Sequence, residues 1–186
     1  MKNIRRVSFL GFSGAKNGDE AYEAAKKSAY LLAKNGFTIV NGGGPGIMRA
    51  STEGAQEAGG KTIGVTFNPE GMANFEGQDP KNKVDELIEM PNYLERTYKL
   101  LELGDVYVFF NGGTGTVSEF GMAWGLARLF FGKHKPLILF GEWWHDIMES
   151  FGRNMEIRPE ALQVYEIVTT PERLLEEILE IDRGED

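Results

Sequence analysis

The stretch Asn111-Gly-Gly-Thr-Gly-Thr-Val-Ser-Glu119 follows the apolar run Val106-Tyr-Val-Phe-Phe110 and opens a helical pattern that continues to about Phe131. A buried strand that stops at a glycine turn and restarts as a helix directs several backbone N–H groups toward one point, and the helix dipole adds partial positive charge there. The turn is therefore predicted to hold a phosphate or another anion. Glu119 is predicted to lie within the first turn of that helix, which places a carboxylate beside the anion.

A second turn of the same kind lies upstream. The apolar segment Phe37–Val40 runs into Asn41-Gly-Gly-Gly-Pro-Gly-Ile-Met48, and a helical pattern follows to about Ala58. Two turns that each join a strand to a helix open at the carboxyl edge of a parallel sheet, which is where such sheets bind ligands. We therefore expect both turns to face one site.

The rest of the chain alternates between strand and helix patterns, which predicts an α/β fold with a mostly parallel sheet of about seven strands and helices on both faces. We expect a single doubly wound Rossmann-like domain over residues 1–186. The strands are predicted at Val7–Leu10, Phe37–Val40, Thr62–Thr66, Asp85–Met90, Asp105–Phe110, Pro136–Phe140 and Val164–Val168. The helices are predicted at Asp19–Asn35, Ile47–Ala58, Asn92–Leu103, from the glycine turn to Phe131, Glu142–Asn154 and Pro171–Ile181.

One segment shows neither a strand pattern nor a helix pattern. Residues Phe67–Lys83 are rich in Gly, Pro, Asn and Asp, and this composition predicts a long loop. Loops of this length inside a domain are often lids or binding elements. A lid and a plain surface loop are equally consistent with the sequence.

Composition narrows the class of protein. The chain has 186 residues and a formal net charge of −8, which argues against binding nucleic acid through a broad basic surface. It contains no cysteine, so disulfides and thiolate metal sites are excluded. No apolar run reaches the ~18 residues of a membrane span, and no secretory signal is visible. These features predict a cytoplasmic protein. His134 and His145 share no ligand spacing, and neither a metal nor a cofactor is predicted.

Candidate site residues come from several predicted elements. Each strand ends at the edge where the next helix begins, so Ser13 and both glycine turns are expected at one edge. The helix that starts near Asn92 brings Arg96 to the level where the strand ending at Phe110 finishes. Arg96 and Glu119 are therefore predicted to meet beside the anion.

This pair has a definable chemistry. An arginine stays charged and can donate two hydrogen bonds to a phosphate or a carboxylate. Glu119 can accept a proton, orient a water or stabilise positive charge that develops on a sugar ring. Simpler interpretations stay open: the glycine turns as tight turns alone, Arg96 paired at the surface with Glu95 or Glu102, and Glu119 interacting with the helix dipole alone.

The two glycine turns resemble those of the LOG family, the cytokinin riboside 5′-monophosphate phosphoribohydrolases. The family hallmark is Pro-Gly-Gly-x-Gly-Thr-x-x-Glu, and Gly112-Gly-Thr-Gly-Thr-Val-Ser-Glu119 matches all of it except the proline, where this chain has Asn111. The upstream family pattern is similar to Gly42-Gly-Gly-Pro-Gly-Ile-Met48. Molybdenum-cofactor carrier proteins of the same superfamily have a similar first turn, which here reads Gly-Ile-Met-Arg-Ala.

The resemblance implies a function. Glu119 corresponds to the catalytic glutamate of the LOG family, and Arg96 to the arginine of its Arg-Lys pair, whose lysine is replaced here by Thr97, with Lys99 nearby. The implied substrate is a small-molecule nucleotide, a nucleoside 5′-monophosphate cleaved to free base and ribose 5-phosphate. The alternative is a carrier that binds a nucleotide or the molybdenum cofactor without turnover. The implied phosphate-binding residues are Gly112, Gly113, Thr114, Gly115 and Thr116, with Gly43, Gly44 and Ser13 nearby.

The resemblance also implies a homodimer or a higher homo-oligomer with its sites near the interface. Small residues from Gly121 to Ala127 and the run Leu129-Phe-Phe131 suggest a helix face that contacts another subunit.

Overall fold

A computed structural model describes residues 3–69, 71–72 and 77–185. Strands and helices alternate along the chain. The strands are β1 (Arg6–Leu10), β2 (Thr38–Asn41), β3 (Thr62–Phe67), β4 (Glu86–Met90), β5 (Val106–Phe109), β6 (Leu137–Phe140) and β7 (Tyr165–Val168). The helices are α1 (Glu20–Lys34), α2 (Ile47–Glu57), α3 (Tyr93–Leu103), α4 (Thr114–Leu129), α5 (Trp143–Asn154) and α6 (Pro171–Arg183). A 3₁₀ turn spans Pro159–Gln163.

The strands form one sheet in the order β4-β3-β2-β1-β5-β6-β7. The sheet was predicted to be mostly parallel with about seven strands. Within the described residues it has seven, and every pair of neighbours is parallel. The doubly wound α/β class is therefore confirmed, whereas the extent of the domain over residues 1–186 stays a prediction.

Alternating side chains of the strands build two apolar layers, one on each face of the sheet. In β1, Val7 and Phe9 join the layer formed with α1, α2 and α6. Leu10 joins the opposite layer, formed with α3, α4 and α5. The period of two residues in a strand sends neighbouring side chains to opposite faces, so a nearly continuous apolar run is needed to bury both. This explains why β5 and β6 read as solid apolar segments.

The winding of the sheet reverses between β1 and β5. The chain builds outward from β1 through β2 and β3 to β4, and then crosses back to place β5 on the other side of β1. At their carboxyl ends the two central strands stay joined, because the N–H of Phe12 donates to the carbonyl oxygen of Asn111 at 2.8 Å. A crevice at such a reversal is the usual ligand site of this fold class.

Element boundaries differ from the predictions by a few residues. The helix predicted to reach Phe131 ends at Leu129, and the strand predicted to include Phe110 ends at Phe109. Beyond α4, Gly132 has a φ of 78°, a left-handed conformation that glycine adopts without strain. The loop predicted over Phe67–Lys83 falls partly on residues 70 and 73–76, which lie outside the described residues.

Candidate active site

The second glycine turn leads directly into α4. Residues Asn111, Gly112 and Gly113 leave β5, and the helix begins at Thr114. Within the described residues no side chain caps the first N–H groups of α4. Free N–H groups at the amino end of a helix favour an anion, and the helix dipole adds to this preference. A Cβ atom at Gly112 would collide with Thr116, so a glycine there lets the turn close against the helix.

Glu119 lies on the buried face of α4. Because the helix begins at Thr114, Glu119 falls in its second turn, and the prediction that placed it in the first turn is wrong. Residues three apart share a helix face, so the carboxylate follows Thr116 into the same recess. Its side chain is buried, with 7% of the side-chain surface exposed. An oxygen of the carboxylate, Oε1, accepts a hydrogen bond from Nη1 of Arg96.

Arg96 reaches Glu119 from the first turn of α3. Its Nε donates to the carbonyl oxygen of Val65 in β3, at 3.2 Å. Its Nη2 lies 3.9 Å from the sulfur of Met48. A Cβ atom at Gly42 would overlap Nη2, so the guanidinium lies against bare backbone of the first glycine turn. Arg96 therefore contacts three elements of the site.

The two glutamates considered as surface partners of Arg96 interact with other residues. Glu95 accepts a hydrogen bond from Asn92 at 3.1 Å, and Glu102 pairs with Lys99. Arg96 itself is buried, with 5% exposed, and forms its ion pair with Glu119. The predicted meeting of Arg96 and Glu119 is thus what the structure shows.

The environment of Glu119 changes its acidity. Burial raises the pKa of Glu119 above its ordinary value, and the charge and hydrogen bond of Arg96 act in the opposite direction. Removing a carboxylate from water disfavours its charged form, which is the larger effect here. A buried carboxyl with a shifted pKa and a specific partner is typical of functional sites.

The pair lies in a cavity of about 560 Å³ at the crevice. This volume is within the range of ~300–1,000 Å³ that is usual for small-molecule sites. The cavity brings together seven of the predicted site residues: Ser13, Arg96, Gly113, Thr114, Gly115, Thr116 and Glu119.

The other three predicted residues are not among those that line the cavity. Gly112 is adjacent to Thr116, as described above. Gly43 and Gly44 are buried, and the residues of the first turn that line the cavity are Gly42 and Met48. Contacts of Gly112, Gly43 and Gly44 with a ligand stay a prediction.

A buried amide network fixes the shape of the first glycine turn. The side-chain oxygen of Asn41 accepts the N–H of Gly43 at 2.9 Å. Asn82 donates to the carbonyl oxygen of Gly44 at 2.8 Å. The carbonyl oxygen of Gly43 accepts the N–H of Asp79 at 3.1 Å. The end of the predicted long loop is therefore attached to the turn.

The sequence reasoning missed several residues that line the cavity. Phe12 lies two residues beyond the end of β1 at Leu10, and Tyr93 is the first residue of α3. Both positions are at the carboxyl edge, which is the signal that could have identified them. The hydroxyl of Tyr93 and the hydroxyl of Ser118 are 2.8 Å apart and hydrogen-bonded, which links the starts of α3 and α4. Gly42 and Met48 were also missed as lining residues.

Neither histidine lies at the cavity. His145 lies 3.9 Å from Glu142 on the exposed side of α5. Among the residues that the structure describes, no group of three or more His, Asp or Glu side chains is placed to hold a metal ion. The same residues include no helix long and apolar enough to cross a bilayer.

Comparison with known proteins agrees with this architecture. A model of the SLOG cluster4 family matches residues 5–165. A protein of Archaeoglobus fulgidus, described as uncharacterized, is 26% identical over 133 residues, which are 71% of this chain and 83% of that protein.

Solved structures give the same fold. The molybdenum cofactor binding protein of Rippkaea orientalis has a TM-score of 0.71 at 23% identity and covers 96% of this chain and 98% of its own. The structural-genomics target TM1055 has a TM-score of 0.69 at 24% identity, covering 97% and 99%. The molybdenum cofactor carrier protein of Chlamydomonas reinhardtii has a TM-score of 0.69 at 19% identity, covering 96% and 98%. The family match and these structures confirm the resemblance noted from the glycine turns.

Proposed function

The chain belongs to the SLOG cluster4 family, and we propose that it cleaves the N-glycosidic bond of a nucleoside 5′-monophosphate to give a free base and ribose 5-phosphate. The observation that carries this proposal is the buried pair of Glu119 and Arg96 in the same cavity as the uncapped amino end of α4. The start of α4 suits a phosphate, and the same cavity holds a carboxylate whose pKa is raised by burial.

The phosphate would be held at the start of α4. Backbone N–H groups from Gly113 to Thr116 and the hydroxyl groups of Thr114 and Thr116 supply donors, and the helix dipole adds favourable charge. Ser13 lines the cavity from the end of β1 and offers one more hydroxyl. The net charge of −8 is compatible with this mode, because it relies on local dipoles rather than on a basic surface.

The carboxylate of Glu119 would act on the ribose. As the bond from C1′ to the base nitrogen breaks, its electron pair leaves with the base, and C1′ becomes oxocarbenium-like. A nearby carboxylate stabilises that positive charge. The oxygen of a water then bonds to C1′, and Glu119 accepts the proton that this water loses. That proton is returned to the departing base, so the products are neutral base and ribose 5-phosphate.

Burial prepares Glu119 for this exchange of a proton. Because burial raises the pKa of Glu119, its carboxylate is a stronger base than an exposed glutamate. Arg96 holds the carboxylate in place through Nη1, and its Nη2 edge faces the cavity beside Gly42 and Met48. Arg96 would therefore position Glu119 and bind the ligand with its remaining donors.

Release of free base from a panel of nucleoside 5′-monophosphates, followed by chromatography, tests the proposal. We expect one or more nucleotides to be hydrolysed, and we expect Glu119→Gln to lower kcat by about 10²-fold or more, as is usual for loss of a general acid–base group. Glu102→Gln is the matched control, because Glu102 also pairs with a cation but lies exposed on α3. Unchanged turnover in Glu119→Gln would rule out this mechanism.

A second candidate function is carriage of a nucleotide or of the molybdenum cofactor without turnover. Two of the solved structures named above are described as binding or carrying that cofactor. In addition, the buried residue Thr97 stands where the LOG resemblance places a lysine. A carrier would retain a ligand through purification, or would gain thermal stability when the ligand is added, while no product forms. Hydrolysis at enzyme-like rates would exclude this candidate.

A further inference from the structure

One wall of the cavity has no role in holding a phosphate. Phe12 lines the same cavity as Gly113 and Thr116, and half of its side chain, 50%, is exposed. Phosphate recognition uses N–H and hydroxyl donors, and a phenyl ring supplies none. A ligand that fills the cavity therefore meets an aromatic surface as well as the phosphate cradle.

The backbone of Phe12 is held between the two glycine turns. Its N–H donates to the carbonyl oxygen of Asn111 at 2.8 Å, and its carbonyl oxygen accepts the N–H of Ile47 at 3.0 Å. Asn111 begins the second turn, and Ile47 begins the helix that follows the first. The position of Phe12 is therefore fixed relative to the phosphate cradle.

The neighbouring glycine makes room for the ring. A Cβ atom at Gly14 would come within 2.7 Å of a ring carbon of Phe12, closer than such atoms approach in proteins. The end of the ring thus lies over bare backbone, while the residue lines the cavity and stays half exposed. A fixed backbone and an open ring are the two properties that a stacking surface needs.

We propose that Phe12 is the residue on which a flat heterocycle of the bound phosphate ester stacks, so that the site prefers nucleotides to plain sugar phosphates. The proposal rests on the phosphate cradle of the proposed function, but it applies equally to an enzyme and to a carrier. Stacking between an aromatic side chain and a base changes affinity by roughly 5- to 150-fold on alanine substitution, and it tolerates different bases because each has a π face.

Calorimetric titration with AMP and with ribose 5-phosphate tests the role of Phe12, since the two ligands share a phosphate and a ribose but differ in the base. The titrations are repeated in the Glu119→Gln background, where hydrolysis of AMP is expected to be about 10²-fold slower or more. We expect AMP to bind about tenfold or more tighter than ribose 5-phosphate. Phe12→Ala should remove about tenfold of AMP affinity and leave ribose 5-phosphate within about twofold, whereas Phe12→Tyr should retain the preference.

Two further variants separate stacking from a general loss of structure. Gly14→Ala should displace the ring of Phe12 and lower the affinity for AMP, although Phe12 itself is unchanged. Tyr98→Ala removes the ring of another exposed residue, 61% exposed on α3 and not among those that line the cavity, and should change neither affinity.

The outcomes are distinct. A loss confined to AMP in Phe12→Ala and Gly14→Ala supports stacking. Equal weakening of both ligands in Phe12→Ala, unchanged AMP affinity, or the same loss in Tyr98→Ala overturns the role of Phe12 while leaving the phosphate cradle intact. Failure of the native chain to bind either ligand overturns the cradle, and with it both proposals.

Discussion

At the scale of the residue, Gly42 decides where the guanidinium of Arg96 can lie. Arg96 Nη2 occupies the space that a side chain at position 42 would fill. We therefore expect Gly42→Ala to displace the guanidinium and disturb its pairing with Glu119. Overpacking of this kind costs about 1–3 kcal/mol. The free energy of unfolding, measured with denaturant, should fall by that amount, and kcat/KM should fall by about tenfold or more, because ~1.4 kcal/mol in the barrier is a factor of ten.

Gly152→Ala is the control for this substitution. A Cβ atom at Gly152, an exposed position on α5, makes only an ordinary contact, with Leu162 at 3.5 Å. Alanine within a helix is favoured over glycine by roughly 0.5–1 kcal/mol, so this variant should unfold at a higher denaturant concentration. If Gly42→Ala behaves like Gly152→Ala, the contact with Arg96 does not limit stability.

The raised pKa of Glu119 predicts how stability depends on pH. In the unfolded chain Glu119 releases its proton near the ordinary value of ~4.3, whereas the folded chain keeps it to a higher pH. Between those two pKa values the folded state binds more protons, so the free energy of unfolding falls as the pH rises. The contribution is present in full below the unfolded pKa and is lost as the pH passes the folded pKa.

The measurement is the free energy of unfolding as a function of pH, for the native chain and for Glu119→Gln. Replacing the titrating group should remove a downward slope of at most about 1.4 kcal/mol per pH unit in that window. Two parallel curves would show that the carboxyl of Glu119 titrates at its ordinary pKa in the folded protein.

The sequence predicted the meeting of Arg96 and Glu119 from one rule. In a parallel sheet, each strand ends at the carboxyl edge and the next helix begins there, so residues near the starts of two helices lie close together. The sequence could not predict the contacts of Arg96 with Val65 and Gly42, which depend on the side-chain path across two neighbouring strands. Phe12 was missed for a related reason. A single aromatic residue after a strand end carries no periodicity, and its exposure depends on Gly14 and on the turns that hold its backbone.

At the scale of the element, a lysine distant in sequence stabilises the carboxyl end of α3. Nζ of Lys135 donates to the carbonyl oxygens of Leu101, Glu102 and Gly104 at 2.8–2.9 Å. Positive charge at the carboxyl end of a helix is favourable, and these carbonyl groups have no partner within the helix. The lysine thereby ties the segment before β6 to the helix that carries Arg96.

We expect Lys135→Met to lower the free energy of unfolding by about 2 kcal/mol, because it removes three charged hydrogen bonds and takes the ammonium donor from the partly buried carbonyl group of Gly104. Lys133→Met, at an exposed position two residues earlier, should change it by less than ~0.5 kcal/mol. Denaturant unfolding of both variants checks this difference. Equal stability of the two would mean that water replaces the ammonium group at no net cost.

The helices and strands were predicted within a few residues because their apolar patterns are long and end at glycine or proline. The 3₁₀ turn Pro159–Gln163 was not predicted, since five residues are too few to show a period. The prediction that Glu119 lies in the first turn of α4 was wrong for a different reason. A glycine-rich turn can stay extended or enter the helix at any of its residues, and here the helix begins at Thr114.

At the scale of the whole molecule, an exposed apolar surface indicates assembly. Single exposed apolar residues are normal, but contiguous ones usually mark an interface. On α4 and just after it, large apolar side chains are exposed at Val117, Met122, Leu126, Leu129, Phe130 and Phe131. This surface contains the run Leu129–Phe131 for which the sequence suggested contact with another subunit, whereas Ala123 and Ala127 of the small-residue stretch are buried in the core.

We expect a homodimer or higher homo-oligomer in solution, and light scattering coupled to size exclusion measures its mass. Leu129→Glu, at a position that is 67% exposed, should shift the chain to the monomer because it places a charge within an apolar interface. Met155→Glu, at a position 56% exposed beyond the end of α5, is the control and should leave the mass unchanged. A native chain that elutes as a monomer would contradict the assembly.

The order of the strands in the sheet could not be predicted from the sequence. Alternation of strand and helix predicts a parallel sheet, but it does not say at which strand the winding reverses. That choice depends on which face each crossover helix covers, and here β5 lies beside β1 because α3 packs on the face opposite to α1 and α2. The reversal is what brings Phe12 and Asn111 together.

The hydrogen bond between Phe12 and Asn111 allows opening of the crevice to be measured. The amide proton of Phe12 is engaged across the line where the sheet changes direction, so the crevice cannot widen there without releasing it. Its rate of replacement by deuterium therefore records how often the two halves of the sheet part at that edge. A molecule bridging both halves should slow this replacement, and the effect is readable before the identity of that molecule is known.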